Sequence, residues 1–191
     1  MNQISSFEIW AQIFLSSIDR KKIREFFVKV IGINPEYIIQ SMHLTYYHTQ
    51  VPIKEVIPMR KNIHLVLPAI DTRFMVMVPG GENPRPDIDP EMKKVGIRIH
   101  RASSVLDEII DLRNDLSKYE TREVLGDRSP SSRKKSAFGS RYFQPHIALL
   151  EPGSGINRDL TIVGKLFREQ IGDLTFDRLI IDVVQKEINS L

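Results

Sequence analysis

Apolar positions along this chain follow two rhythms, one of period two and one of three to four, in blocks separated by Gly, Pro, Ser and Asn. Ile9, Ala11, Ile13 and Leu15 alternate with polar or aromatic neighbours, as a strand would, while Phe7, Trp10 and Phe14 would also line one side of a helix. The strand reading fits the neighbouring segment, because Ser16-Ser17-Ile18-Asp19 is a helix start. Ile23, Phe26, Phe27, Val30 and Ile31 then recur at helical spacing, and Gly32 with Asn34-Pro35 supplies the stop. Residues 37–47 read as the next strand. Three more come at 62–68, 73–78 and 94–100, rich in Val, Ile, Met and Phe and divided by Pro79-Gly80-Gly81 and Asn83-Pro84-Arg85-Pro86.

The second half repeats the order. Ser103 and Ser104, with Asp107 and Glu108 behind them, start a helix that runs to about Lys118 with Val105, Leu106, Ile109, Ile110, Leu112 and Leu116 on its apolar face. Residues 119–141 have no period and read as a long loop, a length that compact domains usually reserve for function or disorder. A strand at 143–150, a turn at Pro152-Gly153-Ser154-Gly155, a helix at 158–171 and a strand at 174–184 complete the chain. Strand, Ser-Ser, helix, histidine strand thus occurs twice. The expected fold is α+β: a single domain spanning 1–191, built of two strand-helix-strand lobes whose mostly antiparallel sheets face a central cleft, with helices outside.

Composition narrows the chemistry. With no cysteine, disulfides, thiolate nucleophiles and Cys-ligated zinc are excluded. The first residues lack a basic stretch followed by an apolar one, and no apolar run approaches the roughly 18 residues of a membrane span, so a cytoplasmic protein with no membrane partner is expected. A net charge of +3 is too small to make the whole surface a nucleic-acid footprint. The excess is concentrated in the long loop, where Arg122, Arg128, Arg133, Lys134, Lys135 and Arg141 outnumber Glu120, Glu123 and Asp127.

Two histidines stand on strands at corresponding places. In Met42-His43-Leu44-Thr45-Tyr46-Tyr47, strict alternation puts His43, Thr45 and Tyr47 on one face. In Pro145-His146-Ile147-Ala148-Leu149-Leu150, it puts Ile147 and Leu149 toward the core and His146 and Ala148 on the open side. Two facing imidazoles make an acid–base pair near neutral pH with no need of a metal or other cofactor. A hydroxyl beside an imidazole donates to a non-bridging phosphate oxygen, which suits a phosphodiester, above all a strained cyclic one. His48, His64 and His100 have no metal-ligand spacing and are expected at strand ends or on the surface.

His43-Leu44-Thr45 and Pro145-His146-Ile147-Ala148 resemble the paired His-x-Thr/Ser motifs of the two-histidine (2H) phosphoesterases, which include RNA 2′,3′-cyclic phosphodiesterases. The resemblance covers roughly residues 9 to 184. It implies a hydrolase in which His43 and His146 are the catalytic pair and Thr45 holds phosphate, acting on a nucleotide, cyclic oligonucleotide or RNA, with no cofactor and no obligate protein partner. Tyr47, Arg141 and Tyr142 are further candidates for substrate contact. Ala148 departs from the pattern, since the family places Thr or Ser there. The alternative implied is a relative with impaired catalysis that binds RNA ends or a nucleotide signal. A third reading, non-specific RNA binding through residues 128–141, requires affinity that falls steeply with salt.

Overall fold

The computed structural model describes residues 5–49, 56–77, 94–117, 145–156 and 159–187. Its centre is one antiparallel sheet of seven strands: β1 (Ser5–Leu15), β2 (His43–Thr49), β3 (Met59–Leu67), β4 (Thr72–Met77), β5 (Lys94–Ile99), β6 (His146–Leu150) and β7 (Leu174–Glu187). The spatial order is β3-β7-β1-β2-β6-β5-β4, so the fold is α+β. The alternation in β1 is the strand that its period indicates. Ile9, Ala11, Ile13 and Leu15 are all fully buried, while Trp10, Gln12 and Phe14 are half-buried on the other face.

Three helices, α1 (Ser17–Glu25), α2 (Ser104–Ser117) and α3 (Leu160–Ile171), accompany the sheet among the described residues. Ser16 caps α1 by accepting from the Asp19 N–H at 3.1 Å, and buried Asp19 accepts from the Thr175 N–H at 2.8 Å, which fastens the helix start to β7. The helix expected to run to Ile31 stops at Glu25 and continues as a wider π-helical segment, Phe26–Ile31, closed by Gly32 at φ 86°. There the Gly32 and Ile33 N–H groups both donate to the Phe27 carbonyl, and a residue with a Cβ would be strained at that φ.

The widened segment serves packing. Phe26 lies edge-on to Phe167 of α3 at 5.5 Å, and Phe74 of β4 meets Phe167 at 5.1 Å. Phe27 and Phe167 are fully buried, a burial that stabilises by about 1.5–3 kcal/mol per side chain. The helical segment after β1 therefore packs beside β4, at the far end of the sheet. Conversely α2, which comes after β5, packs on β2 and β3. α2 thus crosses to the half of the sheet to which β5 does not belong, and the π-helical segment after β1 reaches β4 in the other half, whereas α3, after β6, stays beside β4 in its own half. A duplicated unit with its own helix beneath it is not what the packing gives.

The two halves, β3-β7-β1-β2 and β6-β5-β4, meet at β2 and β6, whose ladder contains the single pair Leu44–Ile147. Just outside the strands a second tie forms, where Ile39 N–H donates to the Leu149 carbonyl at 2.9 Å and Glu151 N–H to the Tyr37 carbonyl at 2.8 Å. The strand expected at 37–47 is thus broken. Ile38 makes an isolated bridge to Leu150, the chain bends at Gln40 and Ser41, and Met42 takes an unusual φ of 21° before β2 begins at His43. No helix among the described residues is long and apolar enough to cross a membrane. The basic segment 119–141 and the turns at 79–86 lie outside the described residues.

Candidate functional site

His43 and His146 project from the same face of the sheet. Leu44 and Ile147, paired and fully buried, fix the opposite face as the core side. Continuing this antiparallel register by one residue each way sets His43 opposite Ala148 and Thr45 opposite His146. The two imidazoles are then diagonal neighbours, a relation that places Cα atoms roughly 7–8 Å apart, within reach of long or aromatic side chains. His43, Thr45, His146 and Ala148 are all half-buried, in contrast to the closed residues between them.

His43 is held by its surroundings. Its Nδ1 lies 3.3 Å from the Ser41 hydroxyl, and its ring leans on Phe14 at 5.3 Å. Burial, and secondarily the nearby His146, push the His43 pKa below the ordinary 6.5. Between that ordinary value and the lower folded one, the unfolded chain binds the proton and the folded chain does not. This contribution to stability is therefore complete above pH 6.5 and diminishes as pH falls through the window below it. In an NMR titration of the ring protons, His43 is expected to show a midpoint below 6.5. A midpoint at or above that value would contradict the buried, paired environment.

Thr45 extends the row. Its hydroxyl accepts from Gln12 Nε2 at 3.4 Å, and the β1–β2 register pairs these two residues directly. Tyr47 does not join it. A bulge in β2, opposite Ala11 and Gln12, inserts Tyr46 into the ladder, so Tyr47 pairs with Ala11 on the core side and is fully buried. Strict alternation through the strand had put Tyr47 with His43, and one extra residue reverses it. After the bulge the open face resumes with His48, whose ring stacks on Trp10 at 3.7 Å and 31°. Arg141 and Tyr142 lie outside the described residues.

Several residues of this face carry no motif signal. Arg98 pairs with His146 in the β5–β6 ladder and is exposed. Arg178 of β7 pairs with Phe14 and sets its guanidinium 4.8 Å from that ring, a cation–π contact. Arg60 and Asn62 of β3 continue the row beyond Ile180 and Arg178, and Arg73 pairs with Arg98 at the other end. Arg73 itself donates to the Ile70 and Thr72 carbonyls, which turns it toward the end of its strand. Among the described residues, Arg60, Arg98 and Arg178 place positive charge on this face, a setting that favours an anion such as phosphate. The only sequence cue to Trp10, Gln12 and Phe14 was their place in the off-phase of β1.

His64 is exposed on β3, and His100 comes after β5 with its Nδ1 accepting from the Ala102 N–H at 3.3 Å. Both stand apart from His43 and His146, His64 on the edge strand β3 and His100 beyond the end of β5. No known protein family and no curated protein matches this chain.

Proposed function

We propose that this protein is a metal-independent phosphodiesterase that opens a cyclic or 2′-linked phosphodiester of a nucleotide or oligonucleotide. One observation carries the reading: His43 and His146 stand on one face as diagonal neighbours across the seam between two half-sheets. The half-sheets correspond, in this reading, to the two lobes of a 2H phosphoesterase-like fold, and the seam is their shared cleft.

Neutral His43 takes a proton from an attacking water, the new P–O bond forms, and the bond to the sugar oxygen breaks as His146 protonates that oxygen. The product is a phosphomonoester, and the proton on His43 returns to His146 through solvent. An in-line displacement needs base and acid on opposite sides of phosphorus, which two side chains on neighbouring strands provide. Depression of the His43 pKa keeps it neutral, as a base must be. Thr45, held by Gln12, donates to a non-bridging oxygen. The test is a panel of 2′,3′-cyclic nucleotides, cyclic oligonucleotides and 2′-5′ oligoadenylates, incubated with protein in excess chelator. Turnover of at least one is expected, and none in the panel would sink the activity.

Ala148 favours a second reading, a binding module for RNA ends or a nucleotide signal. It sits across the seam from His43, where the family pattern has a hydroxyl. A hydrogen bond to a charged group contributes about 1.5–3 kcal/mol, so a missing donor that acts only in the transition state slows turnover by roughly 10- to 150-fold. Ala148→Thr is therefore expected to raise kcat by at least about tenfold. Measured binding with no turnover in either form would move the assignment to the binding module.

A further inference from the structure

We propose that the groove between α1 and the segment 38–42 is a phosphate-binding subsite that holds a backbone phosphate of a single-stranded oligonucleotide whose reacting phosphodiester lies at His43 and His146. This rests on the phosphodiesterase reading and extends it from a lone nucleotide to a strand. The groove is a cavity of about 190 Å³ lined by Ser17, Arg20, Lys21, Arg24, Gln40 and Met42, among others, and no acid lines it among the described residues. It opens into a wider one of about 520 Å³ that shares Arg24 and Gln40 and includes Ser41.

Three facts favour phosphate there. First, the acids around α1 already have partners, and Glu36, which lines the wider groove, accepts from Asn34 Nδ2 at 3.0 Å. Asp19 takes Lys22 and two backbone or hydroxyl donors, Glu25 takes Lys29 at 3.1 Å, and Glu151, on the rim of the wider groove, takes Lys94 at 2.7 Å. Second, Arg20 makes only a long hydrogen bond of 3.5 Å, to the Gln40 carbonyl, among the described residues, which leaves most of its donor fork for a ligand. Lys21 and Arg24 add charge on the same side of the helix, at spacings that keep them adjacent. Third, the groove borders the stretch of chain that leads into β2 and its histidine. Ser41, on the wall of the wider groove, lies with its hydroxyl 3.3 Å from His43 Nδ1, and the three residues from Gln40 to His43 span at most about 10 Å. The bend at Met42 turns the chain from the groove into β2, so a strand along that path passes from the arginines to the imidazoles.

The experiment compares wild type with Lys21→Gln/Arg24→Gln, which leaves the Arg20–Gln40 contact in place. Two substrates are used, a 2′,3′-cyclic mononucleotide and a pentanucleotide ending in the same cyclic phosphate. KM for the pentanucleotide is expected to rise about tenfold relative to that for the mononucleotide. The slope of log affinity against log salt should flatten by about 0.7, the share of one phosphate on a single strand. Equal changes on both substrates, or none, would overturn the subsite. Should wild type turn over neither substrate, the phosphodiesterase reading fails on its own. The groove is then read by anisotropy of a labelled pentauridylate, where wild type is expected to bind about tenfold tighter than the variant and equal binding would refute it.

Discussion

His43→Ala and His146→Ala are each expected to lower kcat/KM on a 2′,3′-cyclic nucleotide by about 10²- to 10⁴-fold, the range for removal of a positioned acid or base. The geometry explains why neither loss is tolerated. In the proposed mechanism the imidazoles serve opposite sides of one phosphorus, so either alone would leave one proton transfer to water. The double variant is expected to lose little more than the worse single one, because groups that act as a unit are far from additive. Both residues are half-buried and lie off the core side, so the variants should keep native circular dichroism and a melting temperature near wild type. Single-turnover rates on folded protein decide the matter. A variant that retains more than a tenth of wild-type turnover removes its histidine from the chemistry.

Ile147→Ala is expected to cost about 2–5 kcal/mol in a urea melt. Ile147 is fully buried, pairs with equally buried Leu44, and forms with it the only β2–β6 ladder pair among the described residues. It also pairs with Ile97 in β5, so truncation opens a void between β2 and β5, under the strand that carries His146. A cost of that size is a large part of the stability of a domain this long. Activity should fall by more than the unfolded fraction accounts for, because the seam sets the diagonal between the imidazoles. A conservative Ile147→Val change should cost about 0.5–1.5 kcal/mol and largely spare the rate. If Ile147→Ala destabilises yet keeps full activity per folded molecule, the seam does not position the pair.

Much of the architecture was legible in the periods alone. Six of the seven strands and all three helices fall close to where alternation and capping residues put them, because a buried face on a regular element leaves a local imprint. The exception among strands is 37–47. Apolar residues recur through it, but the chain bends at Gln40 and Ser41, leaving Ile38 as an isolated bridge and only His43–Thr49 as a strand of the sheet. The α1 boundary slipped for a related reason. Phe26 and Phe27 keep helical spacing, yet satisfying both Phe74 and Phe167 widens the turn, and these partners lie far along the chain.

By itself the sequence determined that His43 and Thr45, and His146 and Ala148, share a face within their own strands, since side-chain alternation is a property of neighbouring residues. It also determined that an alanine, Ala148, stands where the resemblance to 2H phosphoesterases expects a hydroxyl. Only the tertiary structure decided that Leu44 lies against Ile147, which brings the two faces together, and that β1 forces a bulge at Tyr46, which sends Tyr47 into the core. Register between distant strands is chosen by what each one buries, and a bulge by what its partner strand presents. Neither leaves a mark in the local pattern of either segment.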